Sequence, residues 1–309
     1  GDYIIESNSL YFEQIQRQDG VCISCVNDTW CILYTNYPGS RNINIQQGYY
    51  SVPKLYGLMD TTSFDASGIT ATLNQPLLNV RGQGVLIGFL DTGIDYLRED
   101  FKVSDGRTRI AAVWDQTIQS GNYEEDTGEA AGTEQYDRKQ AQGMVQYGTV
   151  YTREVINAAL AAEREGQNPY DIVPSRDENG HGTKVASIAA SSELLEENYL
   201  GAAPEAELAV VNLKQAKPFI RQMQRIPLDS IAYEEADIML AVRYLDQLAQ
   251  REGKPLVICM ALVSNTGGHT GENALSLYLN YVCRKVGRAV AVAAGNEGNK
   301  GHHYFGVVP

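Results

Sequence analysis

The sequence contains no long apolar run and few basic residues. Its longest uninterrupted apolar stretches are about eight residues, too short for a helix to cross a lipid bilayer. Lys and Arg number 25 against 38 Asp and Glu, which gives a net charge of −13. Proteins that bind nucleic acids usually present a basic surface. We therefore expect neither a membrane nor a nucleic acid among the partners of this protein.

Cysteine is also scarce. The chain has five cysteines, an odd number at low density, which does not indicate a disulfide framework. Cys22 and Cys25 form a C-x-x-C pair, but no second pair of cysteines or histidines stands at the spacing of a zinc site. We expect these two residues to be thiols on a short strand. Cys259 lies within an apolar stretch and is expected in the core.

The composition is that of a globular protein, with 43% apolar and 20% charged residues. A chain of 309 residues can hold one large α/β domain and a smaller module. Residues 1–60 alternate short β-branched and aromatic stretches with turn signals, which predicts a small α/β or mostly β module. Residues 61–82 are rich in Ser, Thr, Asn and Gly, as is typical of a linker or surface wrap.

From residue 83 onward, apolar strand patterns alternate with helical ones. The clearest strand pattern, 84–91, is almost wholly apolar and closes with Asp91. Strands that alternate with helices build a parallel sheet with helices on both faces, and chemistry gathers at the carboxyl ends of its strands. The other predicted elements are strands at 109–116, 206–214, 255–262 and 288–296, helices at 152–165, 230–252 and 272–287, and a surface insertion at 117–150.

Three short motifs place chemistry-bearing residues at or next to such strand ends. D-T-G-I-D (91–95) ends a buried strand with Asp91, a carboxylate suited to hold a histidine tautomer. G-H-G (180–182) brackets His181 with glycines ahead of a helix of small residues, an arrangement typical of proton transfer. Asn296 lies between two glycines after the last strand, where its amide can donate to an oxyanion. Taken singly, each motif also fits a structural role, as a strand-to-turn signal, a packed histidine or a turn asparagine.

Taken together, in the order Asp91, His181, Asn296, the motifs resemble those of the subtilisin-like serine peptidases, the subtilases. The resemblance runs over about residues 83–300 and rests on D-T-G-I-D, H-G-T-x-V-A and A-A-G-N-E-G. It implies an α/β, three-layer fold with a mostly parallel sheet and helices on both faces, plus a small N-terminal α/β pro-segment module. It also implies roles: Asp91 orients His181, His181 moves the proton of a serine nucleophile, and Asn296 donates its amide to the oxyanion.

The resemblance further implies a cleft that binds an extended peptide or protein substrate as an added strand. Residues 1–60 would then be the pro-segment, which assists folding and caps the cleft. Residues 83–309 would be the N-terminal part of the catalytic domain. An unrelated binding module at the N-terminus is the alternative. Two stretches would line the cleft, one on each edge: Ala261, Leu262 and Val263, and opposite them Ala293, Ala294 and Gly295.

Finer features are similar to the Csp-type germination proteases of spore-forming bacteria and their gut-anaerobe relatives. The similarity rests on the stretches AAVWDQT, YTREVINAAL, IVPSRDENGHGT and GNEGNKGHHY. In that branch an additional β-domain separates the oxyanion asparagine from the serine. The similarity implies a secreted or spore-associated bacterial protein.

The sequence departs from the family pattern at the nucleophile. The family carries its serine in G-T-S-x-A-x-P at the start of a helix, but no such motif follows Asn296, and the last serine, Ser276, precedes it. We therefore expect the serine outside this chain, in a C-terminal continuation of the same protein or in a partner. The alternative is a catalytically inactive scaffold of the same fold that acts as a binding or regulatory partner.

Further departures indicate narrow specificity or an inactive relative. They are Lys184, Ser187, Ala261 and Val263, which replace common family residues. Three histidines outside the motifs are expected to have surface or packing roles: His269, His302 and His303. Subtilases often bind structural calcium, but the acids here lack EF-type spacing. We expect no cofactor, assign no metal ligand and leave a structural calcium open.

Overall fold

A computed structural model of the chain describes residues 2–7, 21–35, 53, 55–58, 72, 80–119, 144–193, 199–267 and 270–295. In chain order the strands are β1 (Asp2–Glu6), β2 (Val21–Cys25), β3 (Trp30–Thr35), β4 (Leu55–Leu58), β5 (Leu86–Asp91), β6 (Ile110–Asp115), β7 (Thr149–Thr152), β8 (Glu207–Asn212), β9 (Tyr233–Glu234), β10 (Leu256–Met260), β11 (Leu262–Val263) and β12 (Arg288–Val292). The α-helices are α1 (Arg153–Arg164), α2 (His181–Ala190), α3 (Pro218–Gln224), α4 (Glu235–Arg251) and α5 (Ala274–Cys283).

The main sheet has the spatial order β12-β10-β5-β8-β6-β7. Neighbouring strands pair in parallel, except that β7 runs antiparallel to β6. Every residue of β5 is buried, which explains its apolar run, because a strand covered on both faces needs apolar side chains at successive positions. The predicted strands of this sheet agree with the observed ones to within a few residues.

Helices cover both faces of the main sheet. Successive side chains of a strand point to opposite faces, so a strand with apolar residues at successive positions needs cover on both faces. Leu86 and Leu90 of β5 pack in a core with α4 and α5. Ile87 and Phe89 of the same strand pack on the other side with α1 and α2. The sheet and its two helical layers form the three-layer α/β architecture that the sequence predicted.

A three-stranded antiparallel sheet of order β1-β3-β2 forms the N-terminal module. Cys25 and Cys31 lie opposite each other on β2 and β3 and form a disulfide bond. The expectation that Cys25 is a free thiol is therefore wrong, while Cys22 is a free thiol as expected. The hairpin brings Cys25 and Cys31 to paired positions, and the C-x-x-C spacing gave no sign of that pairing.

The N-terminal module packs on helices that follow the main-sheet strands. Ile4 and Ile32 join the apolar core that contains α4. Polar contacts accompany this packing: the guanidinium of Arg243 on α4 donates to the carbonyl oxygen of Cys25. At the start of the module, Asp2 is buried and forms an ion pair with Lys217. The module is thus joined to the rest of the chain by both apolar and charged groups.

A short third sheet places β4 between β9 and β11, antiparallel to both. Leu58 lies opposite Leu262, and Gly57 lies opposite Val263. On the other side, Tyr56 lies opposite Tyr233. A segment from the end of the N-terminal region therefore runs along the same edge that the sequence predicted for substrate.

Element boundaries differ from the predicted ones where tertiary pairing intervenes. The helix predicted over 230–252 begins only at Glu235, because Tyr233 and Glu234 pair with β4 as strand β9. In the predicted insertion at 117–150, the last two residues open β7, while 120–143 lie outside the described residues. Among the residues that the structure describes, no helix is long and apolar enough to cross a membrane.

Candidate active site

Asp91 and His181 meet at the carboxyl end of the main sheet. Asp91 is the last residue of β5 and is 1% exposed, and His181 is the first residue of α2. The Nδ1 atom of His181 lies 2.7 Å from Oδ1 of Asp91, a hydrogen-bond distance. The structure thus brings together two residues that are 90 positions apart in the sequence. In this arrangement Nδ1 carries the proton and Nε2 is the basic nitrogen.

The local sequence explains how the helix start reaches the strand end. Gly180 precedes α2 with a φ of 79°, in the left-handed region that favours glycine. The N–H of Gly182 donates to the hydroxyl of Thr92 at 2.9 Å. A Cβ atom on Gly182 would lie 2.2 Å from the carbonyl oxygen of Gly93. The positive φ at Gly180 and this close approach at Gly182 both require glycine, as the G-H-G bracket supplies.

The Asp91 carboxylate lies in a buried environment. Its Oδ1 also accepts the N–H of Thr92 at 2.8 Å. Its Oδ2 is buried and has no hydrogen-bond partner within the described part of the chain. The hydrogen bonds of the Asp91 carboxylate to Thr92 and His181 thus all fall on Oδ1.

Cys259 lies on β10, the strand next to β5, where it is opposite Phe89. Burial, followed by the negative charge of Asp91, raises the pKa of the Cys259 thiol to about 11. Cys259 is therefore a neutral thiol at physiological pH and is not an activated nucleophile. Its partly buried position against the core is consistent with the predicted packing role.

Asp177 and Thr92 are site residues that the sequence analysis did not single out for a role. The carboxylate of Asp177 accepts hydrogen bonds from the hydroxyl of Thr92 at 2.7 Å and from the N–H of Gly180 at 2.8 Å. Its other oxygen accepts from the N–H and the hydroxyl of Thr183, at 2.8 and 2.6 Å. Their closeness to the motif residues could have identified them: Thr92 follows Asp91, and Asp177 stands four residues before His181.

The two predicted edges of the cleft lie close together in the structure. Val263 belongs to β11, and Gly295 follows the end of β12. A Cβ atom placed on Gly295 would lie 3.5 Å from Cγ2 of Val263, so the two residues face each other at contact distance. The N–H of Ala293 donates to the carbonyl oxygen of Met260 at 3.1 Å, which extends the β10–β12 pairing toward the cleft.

A cavity of about 600 Å³ opens beside the Asp91 end of β5. It lies between the carboxyl ends of β5, β6 and β8, the loop before His181, and β9. The cavity is where a parallel sheet usually binds its ligands. Its lining includes Thr92, Asp115, Arg176, Asn212 and Tyr233.

Several predicted positions lie outside the described residues: Asn296, His269, His302 and His303. Their roles therefore stay predictions. Among the described residues, no group of three or more His, Cys, Asp or Glu side chains is placed to hold a metal ion. Both oxygens of the Asp177 carboxylate accept hydrogen bonds from the Thr and Gly donors described above.

Comparison with known proteins links this geometry to one family. The sequence model of the subtilase family, peptidase group S8, matches residues 82–305. Subtilisin-like protease SBT3.5 of Arabidopsis thaliana is 30% identical over 200 residues, which cover 60% of this chain and 22% of that protein. Subtilisin-like protease SBT3.10 of the same plant is 30% identical over 149 residues.

A solved structure is also similar. The CspB protease of Clostridium perfringens superposes with a TM-score of 0.56 and 31% sequence identity, over 75% of this chain and 40% of that one. The chain thus spans less than half the length of each of these relatives. The family match covers well over half of the chain, and the fold agrees with it. The chain belongs to the subtilase family, as the sequence predicted.

Proposed function

We propose that this chain is the N-terminal part of a serine endopeptidase whose nucleophile lies outside it. The observation that carries the proposal is the 2.7 Å hydrogen bond between Asp91 and His181 within a subtilase-family fold. The family is one of serine peptidases, so peptides or proteins are the substrate class. The residue roles and the position of the serine are our own inference.

The proposed chemistry follows from the tautomer that Asp91 selects. Nδ1–H of His181 donates to Asp91, which leaves Nε2 to accept the proton of the serine hydroxyl as its oxygen attacks the substrate carbonyl carbon. The buried Asp91 carboxylate stabilises the resulting imidazolium. The proton then moves to the leaving amine as the peptide bond breaks. We assign Asn296 as the side-chain donor to the oxyanion that forms in between.

Substrate binding by strand addition is supported by the position of β4. Main-chain hydrogen bonding to β9 and β11 holds this segment as the middle strand of a small sheet. An extended substrate needs the same backbone groups of Leu262 and Val263. We therefore propose that β4 occupies the substrate edge and that residues 1–60 are the pro-segment. Residues 61–82 would connect it to the catalytic domain.

The proposal predicts that the full-length protein processes itself shortly after Leu58. We would express the full-length protein and its His181→Ala variant and sequence the N-termini of the products. The expected result is a new N-terminus between Leu58 and Gln83 in the unmodified protein and none in the variant. Lys184→Ala is the matched control, because Lys184 lies on the same helix with an exposed side chain. Normal processing of the His181→Ala variant would refute the role of His181.

A further inference from the structure

The carboxylate of Asp177 joins two parts of the chain that the active site needs to hold together. One part is the end of β5, represented by Thr92, and the other is the start of α2, represented by Gly180 and Thr183. Asp177 accepts four hydrogen bonds of 2.6 to 2.8 Å from these three residues. Burial acts to raise the pKa of Asp177, but the bonds from Thr183, Thr92 and Gly180 outweigh it and hold that pKa below its ordinary value. The carboxylate is therefore ionised across the neutral range.

Thr92 extends the connection to the Asp91–His181 pair. Its hydroxyl has one proton, and the nearer acceptor is Asp177 at 2.7 Å, against 3.3 Å to Oδ1 of Asp91. The same hydroxyl oxygen accepts the N–H of Gly182 at 2.9 Å, the residue directly after His181. The N–H of Thr92 donates to Oδ1 of Asp91, the atom that also bonds His181.

Thr183 closes the connection from the helix side. Its hydroxyl donates to Asp177 at 2.6 Å and accepts the N–H of Asp95 at 2.9 Å. The segment after β5 is thus bound to α2 at two places, at Gly182 and at Thr183. His181 lies between Gly180 and Gly182, and both of these neighbours are fixed by Asp177 or Thr92.

We propose that Asp177 is a positioning residue that, through Thr92, fixes His181 against Asp91. The proposal rests on the proposed function in taking His181 as the catalytic base. A residue that only capped α2 would need the bonds from Gly180 and Thr183 and no bond to Thr92. The bond to Thr92 is what links the cap to the strand that carries Asp91.

The substitution Asp177→Asn breaks one half of this connection with little change in size. An amide offers one acceptor oxygen, so its NH₂ group must face either the Thr183 N–H or the Thr92 and Gly180 donors. One side of the connection is then lost. Thr92→Val removes the link between Thr92 and Asp177, because valine has the shape of threonine without its hydroxyl. Thr92→Ser keeps the hydroxyl and should restore the link.

The test uses the full-length protein and two readouts. The first is the low-field ¹H NMR resonance of the His181 Nδ1 proton, assigned by its absence in His181→Ala. The second is kcat and KM for a peptide substrate, measured across pH. We expect Asp177→Asn and Thr92→Val to lose or broaden the resonance and to lower kcat about 10- to 100-fold with little change in KM, since a small misplacement of the base has that effect. Thr92→Ser should retain both.

Glu154→Gln is the matched control, because it removes one negative charge at an exposed position of α1, outside the site. It should leave the resonance unchanged and kcat within about twofold of the value for the unmodified protein. A folded Thr92→Val variant with a lower melting temperature but an unchanged resonance and kcat would overturn the positioning role and leave only a cap. If instead His181→Ala hydrolyses peptides normally, the proposed function fails, and the NMR resonance still reports whether Asp177 holds the Asp91–His181 bond.

Discussion

Gly182 and Gly93 lie in direct backbone contact where α2 meets the end of β5. A Cβ atom added to Gly182 would lie 2.2 Å from the carbonyl oxygen of Gly93 and 3.1 Å from Cβ of Asp91. No side chain fits in that space, because real Cβ atoms do not approach backbone so closely. The second glycine of the G-H-G bracket is therefore required for His181 to reach Asp91.

Gly182→Ala should push α2 away from β5. We expect a loss of about 1–3 kcal/mol in the free energy of unfolding, the usual cost of overpacking, together with a fall in kcat. Thermal unfolding and peptide hydrolysis by the full-length protein measure the two effects. Gly88→Ala on β5 is the control, since the three atoms nearest to its Cβ would all belong to the Leu245 side chain, at 2.7 Å or more, and none to backbone. A fully stable and active Gly182→Ala variant would show that the close contact is not needed.

Asp91→Asn tests the proposed tautomer control. An asparagine at this position is expected to turn an N–H toward the imidazole or to bond the wrong tautomer, which lowers kcat about 10⁴-fold with little change in KM. Asp115→Asn is a control at the end of β6, which β8 separates from β5 in the sheet. Asp115 binds Ser175 at 2.5 Å and Asn212 at 2.9 Å, so its loss should affect stability. Equal losses of kcat in both variants would argue against a specific role for Asp91.

Glu234 lies in a buried charged cluster between the N-terminal module and the larger unit. It is 0% exposed, and its Oε1 accepts the main-chain N–H of Lys217 at 2.6 Å. Burial, then the charges of Asp237 and Asp2, raise the pKa of Glu234 to about 7, and the Lys217 hydrogen bond and the charge of Lys214 oppose the rise. When Glu234 is protonated, two ion pairs remain in the cluster, Lys214 with Asp237 and Lys217 with Asp2.

The raised pKa predicts that stability falls as pH rises. Unfolded Glu234 titrates near its ordinary value of 4.5 and folded Glu234 near 7, so the folded state binds the proton more tightly. The contribution of Glu234 to the free energy of unfolding is constant below pH 4.5 and decreases between pH 4.5 and 7. Above pH 7 the free energy of unfolding is lower by about 3 kcal/mol than below pH 4.5 on account of this group. Glu234→Gln should unfold at a higher temperature than the unmodified chain at pH 8 and at a similar temperature at pH 4. The prediction would be contradicted if the difference in unfolding temperature between the two proteins were the same at pH 4 and at pH 8.

Val263 is expected to restrict the substrate residue that lies opposite it. Its side chain reaches toward Gly295, and in the chain's own β4 the residue opposite Val263 is Gly57. The full-length enzyme should therefore prefer peptides with glycine at that position over leucine or phenylalanine by about 10-fold or more in kcat/KM. Val263→Gly should remove the preference, and Val263→Thr, of similar shape, should keep it. A preference that persists in Val263→Gly would assign the selection to another residue.

The main sheet could be predicted from the sequence because strands buried on both faces leave continuous apolar runs, as in Leu86–Asp91. The G-H-G and D-T-G motifs likewise identified Asp91 and His181. Features that depend on distant pairing could not be predicted. Strand β9 forms only because β4 pairs with it, and Asp177 meets Thr92 across 85 positions of sequence. The disulfide depends on the register of a hairpin, which the cysteine spacing does not encode.

The central claim is that Asp91 and His181 activate a serine that this chain does not contain. The most direct test is to treat the full-length protein with a fluorophosphonate probe and to map the labelled residue by mass spectrometry. We predict one labelled serine C-terminal to Pro309, with labelling abolished by His181→Ala. A folded and processed full-length protein that takes up no probe would contradict the claim and would indicate an inactive scaffold of the subtilase fold.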